Sequence, residues 1–199
     1  MKLQQIDSFL ESERQSKAYE IYGRVRERVI DMLSKGREGA TIPSEYWKEE
    51  VKGFEYMLDA SPLIINRLRE HSYHLTGVHS YVYRGHHAHK KGAFAGKLQA
   101  LRKLDPNGDL FVPESPELGG FGHDLDGGLV NIDTLKFYES LIAMNKGGLL
   151  EPLQKQPDDR KVVVEIGAGW GGFAYQMKTL LPDMCYVIID LPQTMLFSA

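Results

Sequence analysis

The sequence predicts an α/β fold in which a parallel sheet begins only after a long, mainly helical region. Three observations predict it. Lys161-Val-Val-Val-Glu-Ile166 is a short β-branched apolar run, bounded by charge on one side and glycine on the other, which reads as a strand buried on both faces. Tyr186-Val-Ile-Ile-Asp190 repeats that pattern one helix later, the spacing that two parallel strands require. Upstream, apolar residues recur at steps of three and four rather than two. The division expected is a helical region over residues 1–157 and a sheet segment over 158–199.

The helices follow in order. Residues from Leu3 to Leu33 predict one long helix or two short ones, with Tyr22, Val25, Val29 and Met32 on one stripe and Gly36 as the stop. Such a stripe serves either as a dimerisation or substrate-covering arm, which makes a homo-oligomer one expected state, or as the inner face of a helix packed on its own domain. Ser44 caps a second helix whose apolar face is Trp47, Val51, Phe54 and Leu58, so Trp47 is expected in the core. Ser61 and Pro62 start a third, which continues through Leu63, Ile64 and Leu68 toward Gly77.

Six of the seven histidines lie between His71 and His89. His86-His87-Ala88-His89 has the composition of a metal tract, yet no Asp or Glu occurs from His71 through Leu104, so a solvated basic loop is the expectation. Arg84, Lys90, Lys91, Lys97, Arg102 and Lys103 are either a surface that draws in a phosphorylated or nucleotide-linked sugar, or the solvated side of a helix whose Phe94, Leu98, Leu101 and Leu104 face inward.

Asp105-Pro-Asn-Gly108 is a turn, and residues 105–130, rich in glycine and proline, show little helical or strand period. A long irregular segment of that kind reads as a lid, with Phe121 between glycines able to swing over a ligand and His123 placed as a base or hydroxyl contact, or as a surface loop with one anchoring aromatic. Asn131 and Asp133 supply caps for a helix ending at Gly147-Gly148.

The candidate site is the turn between the two strands. Gly167, Gly169 and Gly171 admit a ligand to the backbone, Glu165 stands at the end of the first strand, and Asp190 at the end of the second. An acid at that second position accepts hydrogen bonds from both hydroxyls of an adenosine ribose. Gly167, Gly169 and Gly172 also satisfy the dinucleotide pattern, but a pyrophosphate beside Glu165 would be repelled, whereas a sulfonium and an ammonium would be attracted.

Glu165-Ile-Gly-Ala-Gly-Trp-Gly-Gly-Phe-Ala-Tyr175 resembles the first motif of class I methyltransferases. Tyr186-Val-Ile-Ile-Asp-Leu-Pro192, Leu110-Phe-Val-Pro-Glu-Ser-Pro-Glu-Leu-Gly-Gly-Phe-Gly122 and Asn131-Ile-Asp-Thr-Leu-Lys-Phe-Tyr-Glu139 resemble the sugar O-methyltransferase family. That resemblance implies a Rossmann-like sheet, S-adenosylmethionine as cofactor held by Glu165, Gly167, Gly169, Gly171 and Asp190, and methyl transfer to a sugar or nucleotide-linked sugar hydroxyl. No metal ligand and no general base are assigned among these residues, and the metal requirement stays open. The alternatives are a nicotinamide-dependent oxidoreductase and a non-enzymatic helical interaction module.

Composition narrows the setting. The chain has 199 residues, a net charge of −3 and one cysteine, Cys185, expected as a buried thiol. Nothing global points to nucleic acid or an anionic membrane, and no apolar run reaches the roughly 18 residues of a membrane span. A cytoplasmic setting is the default expectation. Mean sheets have roughly five or six strands, so two strands before Ala199 lead to the expectation of the N-terminal part of a longer enzyme, inactive alone.

Overall fold

The computed structural model describes residues 3–36, 43–155 and 161–199. It is an α/β arrangement of mostly helices with two sheets of two strands each among the described residues. The first helical stretch is two helices, α1 (Leu3–Arg14) and α2 (Lys17–Ser34), because Ser16 leaves helical geometry and its side chain accepts the Tyr19 N–H at 3.2 Å. Tyr22 and Val29 of α2 are buried, whereas Met32, expected on the same stripe, is exposed. The Tyr22 hydroxyl donates to the Met57 carbonyl at 3.0 Å and accepts the Ala60 N–H at 2.8 Å, which pins α2 to the segment after α3.

Helix α3 (Glu45–Lys52) is capped by Ser44 as expected. It stops at Gly53, so Phe54 and Met57 enter the core from a 3-10 turn over Glu55–Asp59 rather than from one continuous face. Trp47 is on the outer side, 36% exposed and edge-on to Tyr46, which corrects its placement in the core. The next stretch is three single-turn helices, α4 (Pro62–Ile65), α5 (Leu68–His71) and α6 (Tyr73–Thr76), with Leu63 exposed and Ile65 buried. Residues 85–90 form a 3-10 turn, and the side chains of His86 and His87 lie outside the described ones. Helix α7 (Lys91–Arg102) buries Leu98 and Leu101 but leaves Leu104 exposed beyond its end.

The segment read as lacking strands contains a hairpin. Strand β1 (His123–Leu125) pairs antiparallel with β2 (Gly128–Val130) around Asp126 and Gly127, whose φ values of 55° and 81° are those of a two-residue hairpin turn. Glu114 adds a bridge to Leu129. Helix α8 (Ile132–Lys146) starts with a reciprocal cap between Asn131 and Thr134, and α9 (Leu150–Lys155) leads toward the second sheet.

That sheet is β3 (Val162–Ile166) parallel to β4 (Cys185–Ile189), joined by α10 (Gly172–Leu180), with α11 (Met195–Ser198) after it. Val163 and Tyr186 pack with α10 against α8, in a cluster that includes Tyr138, Met177 and Met184. A second cluster joins Val29, Phe54 and Ile65 to Leu196 and Phe197. Both clusters therefore draw on either side of residue 157. The strands are not covered on both faces: Val164 and Ile166 are 55% and 81% exposed, Val187 and Ile189 share that side, and Cys185 is exposed rather than buried.

Candidate functional site

The glycine turn has the geometry that its composition predicts. Gly167, Gly169 and Gly171 sit at φ values of 77°, 60° and 80°, where a side chain is strained. A Cβ on Gly167 or Gly169 would meet nothing within 4 Å, so the space over those two positions is open. At Gly171 the same atom would approach the Ser198 backbone at 3.1 Å, so this glycine is needed for packing on α11.

The two acids stand where the strands end. Asp190 accepts the Gly169 N–H on Oδ2 at 3.0 Å and the Leu191 N–H on Oδ1 at 2.7 Å, so it ties the turn to the end of β4. Glu165 accepts the Tyr186 hydroxyl at 2.9 Å. Burial raises the Glu165 carboxyl above its ordinary value, the Tyr186 hydrogen bond opposes that rise, and the Asp190 charge adds to it. The side chains that shift it are Tyr186 and Asp190, neither of them basic. The two carboxylates thus leave a local excess of negative charge beside an open backbone turn.

Behind the turn lies a buried ion cluster that sequence reasoning missed. Arg69 donates through Nε to Glu114 at 2.7 Å, through Nη2 to Asp133 at 2.9 Å and through Nη1 to Ser72 at 2.5 Å. Its guanidinium carbon lies over the rings of both Trp170 and Phe121, 3.8 Å and 4.6 Å from their centroids. Trp170 also donates its indole N–H to Asp133 at 3.2 Å, and Asn131 donates to Glu114 and to the Phe121 carbonyl, each at 2.8 Å. Arg69, Glu114 and Asp133 are all at least nine-tenths buried. Burial holds the Glu114 carboxyl above its usual range against the pull of Arg69. Asn131 and Asp133 were legible as caps, but nothing in the spacing of Arg69 announces partners so far along the chain.

Phe121 and His123 are both buried in this conformation. Phe121 shares Arg69 as a ring contact with Trp170 of the glycine turn. Its glycine neighbours serve close approach: a Cβ on Gly120 would fall 1.7 Å from the Ser115 carbonyl oxygen, and one on Gly122 2.6 Å from the Val130 nitrogen. His123 lies elsewhere, edge-on to Tyr83 and Phe94 at 5.1 Å each, with no hydrogen-bond partner for Nε2 among the described residues. Burial, with Lys91 adding to it, lowers its pKa.

A cleft of about 690 Å³ opens along α10, between Glu114, Tyr175, Lys178, Tyr186 and Ser198. It reaches the turn at Trp170 and Gly171 but is not lined by Glu165, Gly167, Gly169 or Asp190, so of the predicted cofactor residues only Gly171 borders it. The cations between residues 84 and 103 are partly neutralised: Lys97 pairs with Glu139 at 3.0 Å, Arg84 with Glu70 at 3.8 Å, and Arg102 with Asp126. Among the described residues, no group of three or more histidine, cysteine or acidic side chains is placed to hold a metal, and no helix is long and apolar enough to cross a membrane.

Comparison of the chain with models of protein families, with curated proteins and with solved structures finds no match.

Proposed function

We propose that the turn from Gly167 to Gly171 binds S-adenosylmethionine, in a Rossmann-like methyltransferase arrangement, and that the protein transfers the cofactor's methyl group to a sugar hydroxyl. The observation that carries this reading is the unbalanced pair of carboxylates, Glu165 and Asp190, beside open backbone at Gly167 and Gly169. A ligand with a sulfonium and an ammonium relieves that charge, and one with a pyrophosphate aggravates it. Asp190 has lone pairs left on both oxygens after its two backbone bonds, which suits a ribose diol.

The cofactor supplies an electrophilic methyl on sulfur. The acceptor oxygen forms the new C–O bond as the C–S bond breaks, sulfur keeps the electron pair, and the hydroxyl proton leaves to a base. The contribution of these residues would be binding and alignment: Glu165 and Asp190 would hold the cofactor's polar groups, and Gly167 and Gly169 would admit it to the backbone. The resemblance of residues 110–122 and 131–139 to the sugar O-methyltransferase family supports a sugar as acceptor.

Calorimetric titration tests the reading. S-adenosylmethionine should bind at micromolar to sub-millimolar concentration, and a nicotinamide dinucleotide should not. Binding of the dinucleotide alone would replace this reading with the oxidoreductase one, and binding of neither would leave a helical interaction module.

A further inference from the structure

Among residues 167–172 only Ala168 and Trp170 have side chains, so the indole of Trp170 is the one large handle on the glycine turn. The handle is gripped on three sides. Arg69 stacks on its face at 3.8 Å, Asp133 accepts its N–H at 3.2 Å, and Phe137 lies 6.3 Å away, ring to ring. The indole also folds back over Gly172, where a Cβ would sit 2.2 Å from the ring. Each grip comes from an element upstream of the sheet: α5 supplies Arg69, and α8 supplies Asp133 and Phe137.

The choice of arginine is what makes the grip possible. A guanidinium presents a flat face to an aromatic ring while its edge donates to two carboxylates in different directions. A lysine ammonium in the same place satisfies one carboxylate as a point charge and offers no flat face. Arg69 combines these contacts: Glu114 and Asp133 accept from its guanidinium, which also lies over the rings of Trp170 and Phe121.

We propose that Arg69 is the positioning residue of the cofactor turn. It holds Trp170, and through Trp170 the backbone from Gly169 to Gly172, in the one conformation that leaves the space over Gly167 and Gly169 open and aligns the Gly169 N–H with Asp190. The inference rests on the cofactor reading above for its consequence in binding, but the grip on the turn stands apart from it. Arg69 touches no reacting atom in this scheme; it acts through Trp170.

The test uses Arg69→Lys in a Trp47→Phe background, which leaves Trp170 as the single tryptophan of the two in the chain. Helical circular dichroism should be retained. Acrylamide quenching of Trp170 should rise about twofold as the indole is released, and S-adenosylmethionine affinity should fall about tenfold, the scale of one charge-assisted contact. Leu98→Ala, a buried change in the cluster that does not include Trp170, should destabilise the chain without altering either readout. Unchanged quenching in Arg69→Lys overturns the inference, as does released Trp170 with undiminished affinity. If the parent chain binds no S-adenosylmethionine, the cofactor reading fails and quenching alone decides whether Arg69 holds the turn. Should Arg69→Lys not fold, Trp170→Ala removes the ring that Arg69 holds as well as the bond to Asp133. Amide exchange across 167–172 should then quicken, and unchanged exchange overturns the inference.

Discussion

Asp190→Asn separates the two tasks assigned to that carboxylate. In the wild-type chain each oxygen accepts one backbone N–H, from Gly169 at 3.0 Å and Leu191 at 2.7 Å. An asparagine has one acceptor oxygen, and its NH2 group faces the second donor, so one of the two bonds is lost whichever way the amide turns. A hydrogen bond to a charged group contributes about 1.5–3 kcal/mol, and partial exposure of Asp190 puts the loss near the lower end. For a chain of 199 residues that corresponds to a melting temperature lower by roughly 3–6 °C. Loss of the carboxylate at a ribose diol should also weaken S-adenosylmethionine about tenfold, or about 1.4 kcal/mol. Scanning calorimetry and binding calorimetry on the same preparations read both, with Asp183→Asn at an exposed acid nearby as control. A lower melting temperature with unchanged affinity would retain the backbone tie and remove the ribose contact. No change in either, in a folded variant, would refute the reasoning altogether.

The other predictions concern titration and burial. Glu165 has its carboxyl raised by burial, so its contribution to stability is complete below about 4.5 and is lost as pH rises through the folded value. Glu165→Gln should therefore flatten the decline in urea midpoint above pH 4.5, and parallel profiles for the two proteins would sink that account. His123 has the opposite sign: its pKa is lowered, so its stability is present above about 6.5 and lost as pH falls. His123→Phe should make the acid limb shallower, and by removing the unpaired Nε2 it should match or exceed the wild-type midpoint at pH 7, by up to about 1 kcal/mol. Val163→Lys and Val164→Lys test which side of the sheet is packed. The first should cost about 2 kcal/mol or more and the second less than about 0.5 kcal/mol in chemical denaturation; equal losses would contradict the one-sided burial.

What the sequence made legible was local. The caps at Ser44 and Asn131, the strand–turn–helix–strand order and the glycine turn itself all follow from residues within a few positions of one another. The Asp126-Gly127 hairpin carried an equally local signal, but its strands are three residues long, too short for alternation to register. Trp47 was misplaced because its spacing to Val51 and Phe54 assumed one helix, and Gly53 ends that helix before the stripe is complete. The apolar runs Val162–Ile166 and Cys185–Ile189 identified strands correctly and burial incorrectly, since composition records what a face prefers and not what lies over it. Arg69, Glu114 and Asp133 were illegible for a different reason. Each is an ordinary surface residue type, and only tertiary closure makes them partners.

That closure has a bearing on the order in which the chain assembles. The pairs Arg69–Glu114 and Arg69–Asp133 are separated by 45 and 64 positions, and Asp133–Trp170 by a further 37. Helices α7 and α8 and the hairpin close short loops and need no help from afar, so they belong to the fast, early part of folding. The arginine cluster closes long loops, and its entropy must be met before its ion pairs return anything. The glycine turn, anchored through Trp170, is consequently among the last parts of the molecule to acquire its shape. A nascent chain emerging residue by residue presents Arg69, then Glu114, then Asp133, each with a partner still unmade, and the indole arrives as the final piece that covers them.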